Sequence, residues 1–181
     1  MRPPALLPGL LLTLAAVVAA APAATPPPIY DFCADAVVVA ADGTGHAAYA
    51  GNTCDGENRV LDHLCHGFVT HNGREDYYAI TMDPGCSFTA VVAHTGDAAL
   101  MVTAECIVYG TMFTCLAAAN AAGPGGVETI GYTNGPTART VYLVVDSHTV
   151  AGCGTYTLAL TTNCVVADDR ASFGTVKAIY H

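Results

Sequence analysis

Gly154-Thr155-Tyr156-Thr157-Leu158-Ala159-Leu160-Thr161-Thr162 is the most regular stretch of the chain. Tyr156, Leu158 and Leu160 alternate with Thr155, Thr157 and Thr161, so an extended backbone puts apolar and polar groups on opposite sides. That pattern marks a strand of an antiparallel sheet, one face on a core and one in water. Working outward, Thr140–Asp146 (TVYLVVD) and Val127–Thr133 (VETIGYT) are β-prone runs joined by Asn134-Gly135-Pro136. Ala98–Thr103 (AALMVT) and Phe113–Ala118 (FTCLAA) precede them. Further back, Tyr77–Met82 (YYAITM) and Ser87–Ala93 (SFTAVVA) flank Asp83-Pro84-Gly85. Pro followed by Gly suits a tight turn, which predicts a hairpin. Ala36–Ala41 (AVVVAA) opens the series, and a long loop rich in Gly, Asn, Asp and His follows it. About eight short strands without helical periodicity predict an all-β, antiparallel two-sheet sandwich, jelly-roll-like and stapled by disulfides.

The N-terminus carries a different signal. Met1-Arg2 supplies one positive charge, Ala5 to Ala21 is apolar, and Ala21-Pro22-Ala23 is a small-x-small cleavage pattern. This is the layout of a cleavable signal peptide over residues 1–23. A membrane anchor wants ~20 apolar residues, whereas this run is shorter and broken by Pro8 and Gly9. The first cysteine, Cys33, follows Asp31-Phe32 rather than small residues, which argues against lipidation. Residues 24–32, with Thr25-Pro26-Pro27-Pro28, read as a stiff spacer. Residues 33–164 read as the sandwich domain and 165–181, with Asp168-Asp169-Arg170, as a C-terminal tail. The expected location is outside the cytoplasm: secreted, periplasmic or on the cell surface, with no transmembrane segment in the mature chain.

Eight cysteines remain: Cys33, Cys54, Cys65, Cys86, Cys106, Cys115, Cys153 and Cys164. An even count behind an export signal predicts four structural disulfides. No C-x-x-C pair points to zinc. Connectivity is open to many pairings. Short loops favour Cys54 with Cys65 and Cys106 with Cys115. Joining Cys33 to Cys164 would tie first strand to last and leave Cys86 for Cys153. Each bond would contribute ~2–4 kcal/mol, mostly by restricting the unfolded chain.

Charge limits the partners. With Arg2 removed, five Arg/Lys stand against fifteen Asp/Glu, and Lys177 is the one lysine. Such an acidic chain disfavours nucleic acid and anionic membrane. The partners it leaves are an extracellular protein or a polysaccharide.

The order of these runs resembles the bacterial pre-peptidase C-terminal domain, in its divergent secreted versions. The residues that carry the likeness are Arg74-Glu75-Asp76-Tyr77-Tyr78-Ala79-Ile80 leading to Pro84-Gly85, then Asp97–Val102 with Cys106 downstream. Gly126–Ile130, Val141–Asp146 and Gly154–Leu158 complete it. The resemblance spans roughly Cys33 to Cys164. It implies an antiparallel β-sandwich that accompanies secreted hydrolases, some relatives binding calcium, collagen or polysaccharide. The chain departs from the family in its Cys-rich loops and in carrying no attached peptidase.

Catalytic chemistry finds no foothold. None of Ser87, Ser147 and Ser172 lies in G-x-S-x-G. Asp146-Ser147-His148 has triad residue types, but neighbours on a strand point to opposite faces. H-E-x-x-H is absent, and Gly123-Pro124-Gly125-Gly126 lacks the Lys of a phosphate loop. His63, His66 and His71 surround Cys65 and read as a solvated loop rather than a metal site. Asp55-Gly56-Glu57-Asn58 with Asp62 offers oxygen ligands for calcium without the spacing of an EF-hand, so no metal ligand, cofactor or catalytic residue is assigned. Tyr30, Tyr49, Tyr109 and Tyr132 are the possible sugar-stacking platforms. The expected function is a non-enzymatic secreted or cell-envelope module with a structural or adhesive role, or a carbohydrate- or matrix-binding module accessory to secreted hydrolases.

Overall fold

Alternation of apolar and polar residues builds two sheets that pack face to face. The structure is a computed structural model and describes residues 35–60, 63–65, 69–106 and 113–164. One sheet has five strands in the order β1 (Val37–Val38), β5 (Glu75–Met82), β10 (Arg139–Ser147), β7 (Ala98–Thr103) and β8 (Cys115–Ala119). The other runs β2 (His46–Asn52), β11 (Thr155–Thr162), β6 (Ser87–His94) and β9 (Val127–Thr133). A separate hairpin joins β3 (His63–Cys65) to β4 (Val69–His71). Every pairing is antiparallel except β1 with β5. The expected all-β sandwich is therefore the fold.

The core lies between the sheets. Tyr78, Ile80 and Met82 of β5 and Val141, Leu143 and Val145 of β10 meet Phe88, Ala90 and Val92 of β6 and Leu158 and Leu160 of β11. Each such side chain contributes roughly 1.5–3 kcal/mol on burial. A polar chain crosses this core: the Tyr156 hydroxyl donates to Asp76 Oδ2 at 2.6 Å and lies 2.8 Å from the Tyr78 hydroxyl. The outer face of the five-stranded sheet is covered as well. There Tyr77, Met101 and Val144 pack with Val60 and Cys65 in a second, smaller core. Covering both faces explains why β7 is buried at every position and why β7 and β10 read as nearly continuous apolar runs.

Several expectations need correction. The run Ala36–Ala41 forms only the two-residue β1. The segment read as one long loop contains β2, β3 and β4. The turn at Asp83-Pro84-Gly85 forms, with Cys86 N–H on the Asp83 carbonyl at 3.2 Å and Gly85 at φ 73°. It does not make a hairpin, because β5 and β6 belong to different sheets. A turn sequence dictates reversal of the chain and is silent on which sheet the chain enters. Asn134 holds this crossing in place, its amide donating to the carbonyls of Met82, Asp83 and Thr137.

The disulfides follow the sheets rather than the shortest loops. Cys54 bonds Cys153 and Cys65 bonds Cys115, so Cys54–Cys65, Cys106–Cys115 and Cys86–Cys153 do not form. Cys106 is also disulfide-bonded, and Cys164 lies against Cys86, which sets aside Cys33–Cys164. Cys54 and Cys153 continue the β2–β11 register just past the Asn52–Thr155 pair. Cys65–Cys115 clamps β3 onto β8. Proximity here is a product of register, which loop length does not reveal.

Beside Cys54–Cys153 sits a buried histidine. His94 Nδ1 accepts from Gly96 N–H at 2.9 Å and Nε2 lies 3.1 Å from Thr53 Oγ1, which in turn lies 3.0 Å from Gly154 N. The ring stacks on Tyr156 at 6.1 Å. Burial pushes its pKa below the ordinary histidine value, so it stays neutral and acts as a structural link.

Candidate functional site

The four-stranded sheet has one free face, and its composition is unusual for an acidic chain. Outward positions alternate with core positions along each strand. Register then arranges the exposed side chains in rows across the strands. One row is His46, Thr161, Thr89 and Gly131; the next is Ala48, Ala159, Val91 and Thr129; the third is Ala50, Thr157, Ala93 and Val127. None of these residues is Asp, Glu, Lys or Arg. Glu128, the one acid in these four strands, turns inward and accepts from Ala122 N–H at 2.5 Å. Rows lie about 7 Å apart along a strand and about 4.8 Å apart between strands, so hydroxyls and methyls repeat on a regular grid. Shallow depressions lie around Ala48 and Ala159 and around Ala50 and Thr157. The rows carry no carboxylate, Lys or Arg, and Asp42 borders them beside His46.

The opposite face of the molecule hides a pair of acids. Glu75 and Asp146 are register partners on β5 and β10, and both are fully buried. Glu75 Oε1 accepts from the N–H groups of Arg59 at 2.5 Å and Val60 at 2.7 Å, while Oε2 has no hydrogen-bond partner among the described residues. The N–H groups of Gly73 and Ser147 serve Asp146. Burial, then the neighbouring Asp146 charge, pushes the Glu75 carboxyl up to about 8. Burial likewise raises Asp146 well above the carboxylate range. Two adjacent carboxyls in a dry site do not both ionise, so the pair keeps a proton at neutral pH. A hydrolytic pair must reach its substrate, and neither of these carboxyls meets solvent.

The residues singled out from sequence scatter. Tyr49 lies against Tyr78 with ring centroids 5.2 Å apart, its hydroxyl accepting from Ala40 N–H at 3.1 Å. Tyr132 packs on Phe88 at 6.3 Å and takes the Arg139 guanidinium over its ring at 5.5 Å. Neither offers a free ring to a sugar, and Tyr30 and Tyr109 lie outside the described residues. Ser147 turns away from Asp146 and His148 as alternation demands: Ser147 Oγ accepts from Arg74 N–H at 2.9 Å and His148 Nδ1 lies 2.8 Å from Asn120 Nδ2. His63 and His71 are cross-strand partners on β3 and β4, and His66 lies outside the described residues. In the acidic loop Glu57 pairs with Arg59 at 2.5 Å and the Asn58 amide donates to Asn72. Asp62 lies outside the described residues, and among those described no group of three ligating side chains converges.

The missed features are the neutral face and the Glu75–Asp146 pair. The face had a signal, since alternate positions of Thr155–Thr162, Ser87–His94 and Val127–Thr133 lack charge. The acid pair had none, because it exists only through register.

Fold and site together define a β-sandwich whose open sheet carries three uncharged rows and whose Glu75–Asp146 pair is sealed. Among solved structures, the chain is similar to the pre-peptidase C-terminal domain of a collagenase from Bacillus anthracis. That match has 16% identity and a TM-score of 0.44 and covers 70% of this chain and 94% of that one. It is also similar to PliG from Aeromonas hydrophila, a periplasmic inhibitor of g-type lysozyme, at 14% identity and TM-score 0.45 over 71% of this chain and 96% of that one. The corresponding protein of Salmonella Typhimurium matches at 17% identity and TM-score 0.40, over 70% and 96%. No family model and no curated protein matches the chain. No helix among the described residues is long and apolar enough to cross a membrane.

Proposed function

We propose that this chain is a non-catalytic module, exported by residues 1–23, that adheres to a neutral, hydroxyl-rich polymer through the open face of its four-stranded sheet. The observation that carries this reading is the absence of charge from the three rows around Thr157, Ala159 and Thr161, in a chain with fifteen acids. An anionic partner would be repelled by the chain as a whole, and a basic one would be drawn to its acidic loops rather than to this face. A polysaccharide of the envelope or matrix presents hydroxyls and C–H groups along an extended chain. Threonine hydroxyls match the first by hydrogen bonds and alanine, valine and threonine methyls match the second by contact. A flat array of this kind replaces the tyrosine platform expected from sequence. The sealed carboxyls and the separation of Ser147 from His148 support a non-enzymatic role.

Co-sedimentation of the mature protein with insoluble neutral polysaccharides tests this. Thr157→Lys combined with Val91→Lys puts two charges in the middle of the array, on side chains that face solvent. Retention should fall at least tenfold (~1.4 kcal/mol) with the melting temperature unchanged. Equal retention of both proteins, or no retention of the wild type on any neutral glycan, overturns the proposal.

A further inference from the structure

The two thiols lie where the sheet would make a bond. β11 pairs with β6 so that Thr161 faces Thr89 and Thr162 faces Phe88. Continuing that register puts Asn163 opposite Ser87 and Cys164 opposite Cys86. The ladder does continue, for Asn163 N–H donates to the Ser87 carbonyl at 3.1 Å and Ser87 N–H to Asn163 Oδ1 at 2.6 Å. The backbone bond from Asn163 to Ser87 marks a hydrogen-bonded position of the ladder, its second bond taken over by the Asn163 side chain, and puts Cys164 and Cys86 at the next, non-hydrogen-bonded position. In such a pair Cα atoms approach to about 4.5 Å and side chains lie closest, within the ~4.4–6.8 Å span that a disulfide bridges. Both backbones are fixed from other sides as well. Cys86 N–H bonds the Asp83 carbonyl, its own carbonyl accepts from Asn134 N–H at 2.7 Å, and Cys164 N–H donates to Thr162 Oγ1 at 3.0 Å. The two thiols interact with each other, and both pack half-buried against the main core.

We infer that Cys86 and Cys164 form a cross-strand disulfide that locks the end of β11 to β6. Two S–H bonds break, one S–S bond forms, and two protons and two electrons leave. The electrons reduce the disulfide of a thiol oxidant of the export compartment to two thiols. Burial and the neighbouring Cys86 raise the Cys164 thiol to about 11, so it is a poor nucleophile by itself, and formation needs such a catalyst. The consequence is mechanical. β11 is an inner strand of the sheet that carries the three rows, and Cys54–Cys153 already fixes its start beside β2. With Cys86–Cys164 closed, it is tied covalently at both ends, to a different neighbour at each. The bond stands whether or not the face binds a glycan.

Alkylation of the exported protein without reductant, followed by peptide mapping, decides the matter. The expected result is a peptide pair joining Cys86 to Cys164, with neither residue alkylated. Alkylation of either one, or a bond from Cys164 to another cysteine, overturns the inference. The double variant Cys86→Ser, Cys164→Ser gives an independent reading. It should keep Cys54–Cys153 and melt about 10 °C lower; an unchanged melting temperature contradicts the lock.

Discussion

At pH 8 the Glu75→Gln protein will resist denaturant better than the wild type, and by pH 4 the advantage will be gone. Glu75 titrates in the unfolded chain near the ordinary glutamate value of 4.5 and in the fold at about 8. A carboxyl whose folded value is raised contributes its stability in full below the unfolded value and loses it as pH rises through the folded one. The wild type should therefore weaken between pH 4.5 and 8, by up to about 1.4 kcal/mol for each pH unit in that window. Asp146 on β10 and the Tyr77 hydroxyl on β5 face the same space, with Arg59 from the preceding segment and His148 beyond Asp146. Gln keeps the carbonyl that accepts from Arg59 and Val60 and has no proton to lose. His94 gives the opposite slope: held neutral by burial, it costs stability as pH falls below the ordinary histidine value. Urea midpoints across pH 4–9 for wild type and variant check both signs. Parallel curves would mean the acids are hydrated.

Gly73→Ala should abolish or nearly abolish folding, with a cost on the order of 4 kcal/mol or more. A Cβ at Gly73 would fall 1.8 Å from the Ser147 carbonyl oxygen and 2.2 Å from its Oγ. The obstacle is space rather than backbone angle, since Gly73 is not in the left-handed region. Here the chain enters β5 beside the end of β10, with Gly73 N–H serving Asp146 and Ser147 N–H on the Arg74 carbonyl at 3.1 Å. Gly131 is the control: its Cβ would meet nothing nearer than the Phe88 carbonyl at 3.6 Å. Gly131→Ala should melt within a few degrees of the wild type, slightly higher if the residue's gain in strand preference prevails. Thermal melts of the two variants separate steric exclusion from a general intolerance of side chains at glycine.

Much of this architecture was legible because burial writes itself into period two. Thr155–Thr162 alternates, and it is a strand with Tyr156, Leu158 and Leu160 inside. β2 escaped notice because HAAYAGN is built of small residues with weak strand preference. It is a strand because it pairs along β11, with Gly51 leaving room for Tyr156. Disulfide partners, the Glu75–Asp146 contact and the crossing at Pro84-Gly85 share one cause. Each depends on which strands become neighbours, a long-range choice that local pattern does not contain. Tyr49 and Tyr132 drop out of a sugar platform for a related reason: their rings pack on Tyr78 and Phe88. The neutral face was present in the alternation of three strands and became visible only once register set them side by side.

The central claim is that the open sheet binds a neutral polysaccharide. Amide chemical shifts of the mature protein, followed while a soluble neutral oligosaccharide is added, test it most directly. Saturable shifts confined to β2, β11, β6 and β9 are expected, strongest around Thr157, Ala159 and Val91. Shifts that gather instead on the loops around Glu57 or on the outer side of the five-stranded sheet, or none at saturating sugar, would contradict it.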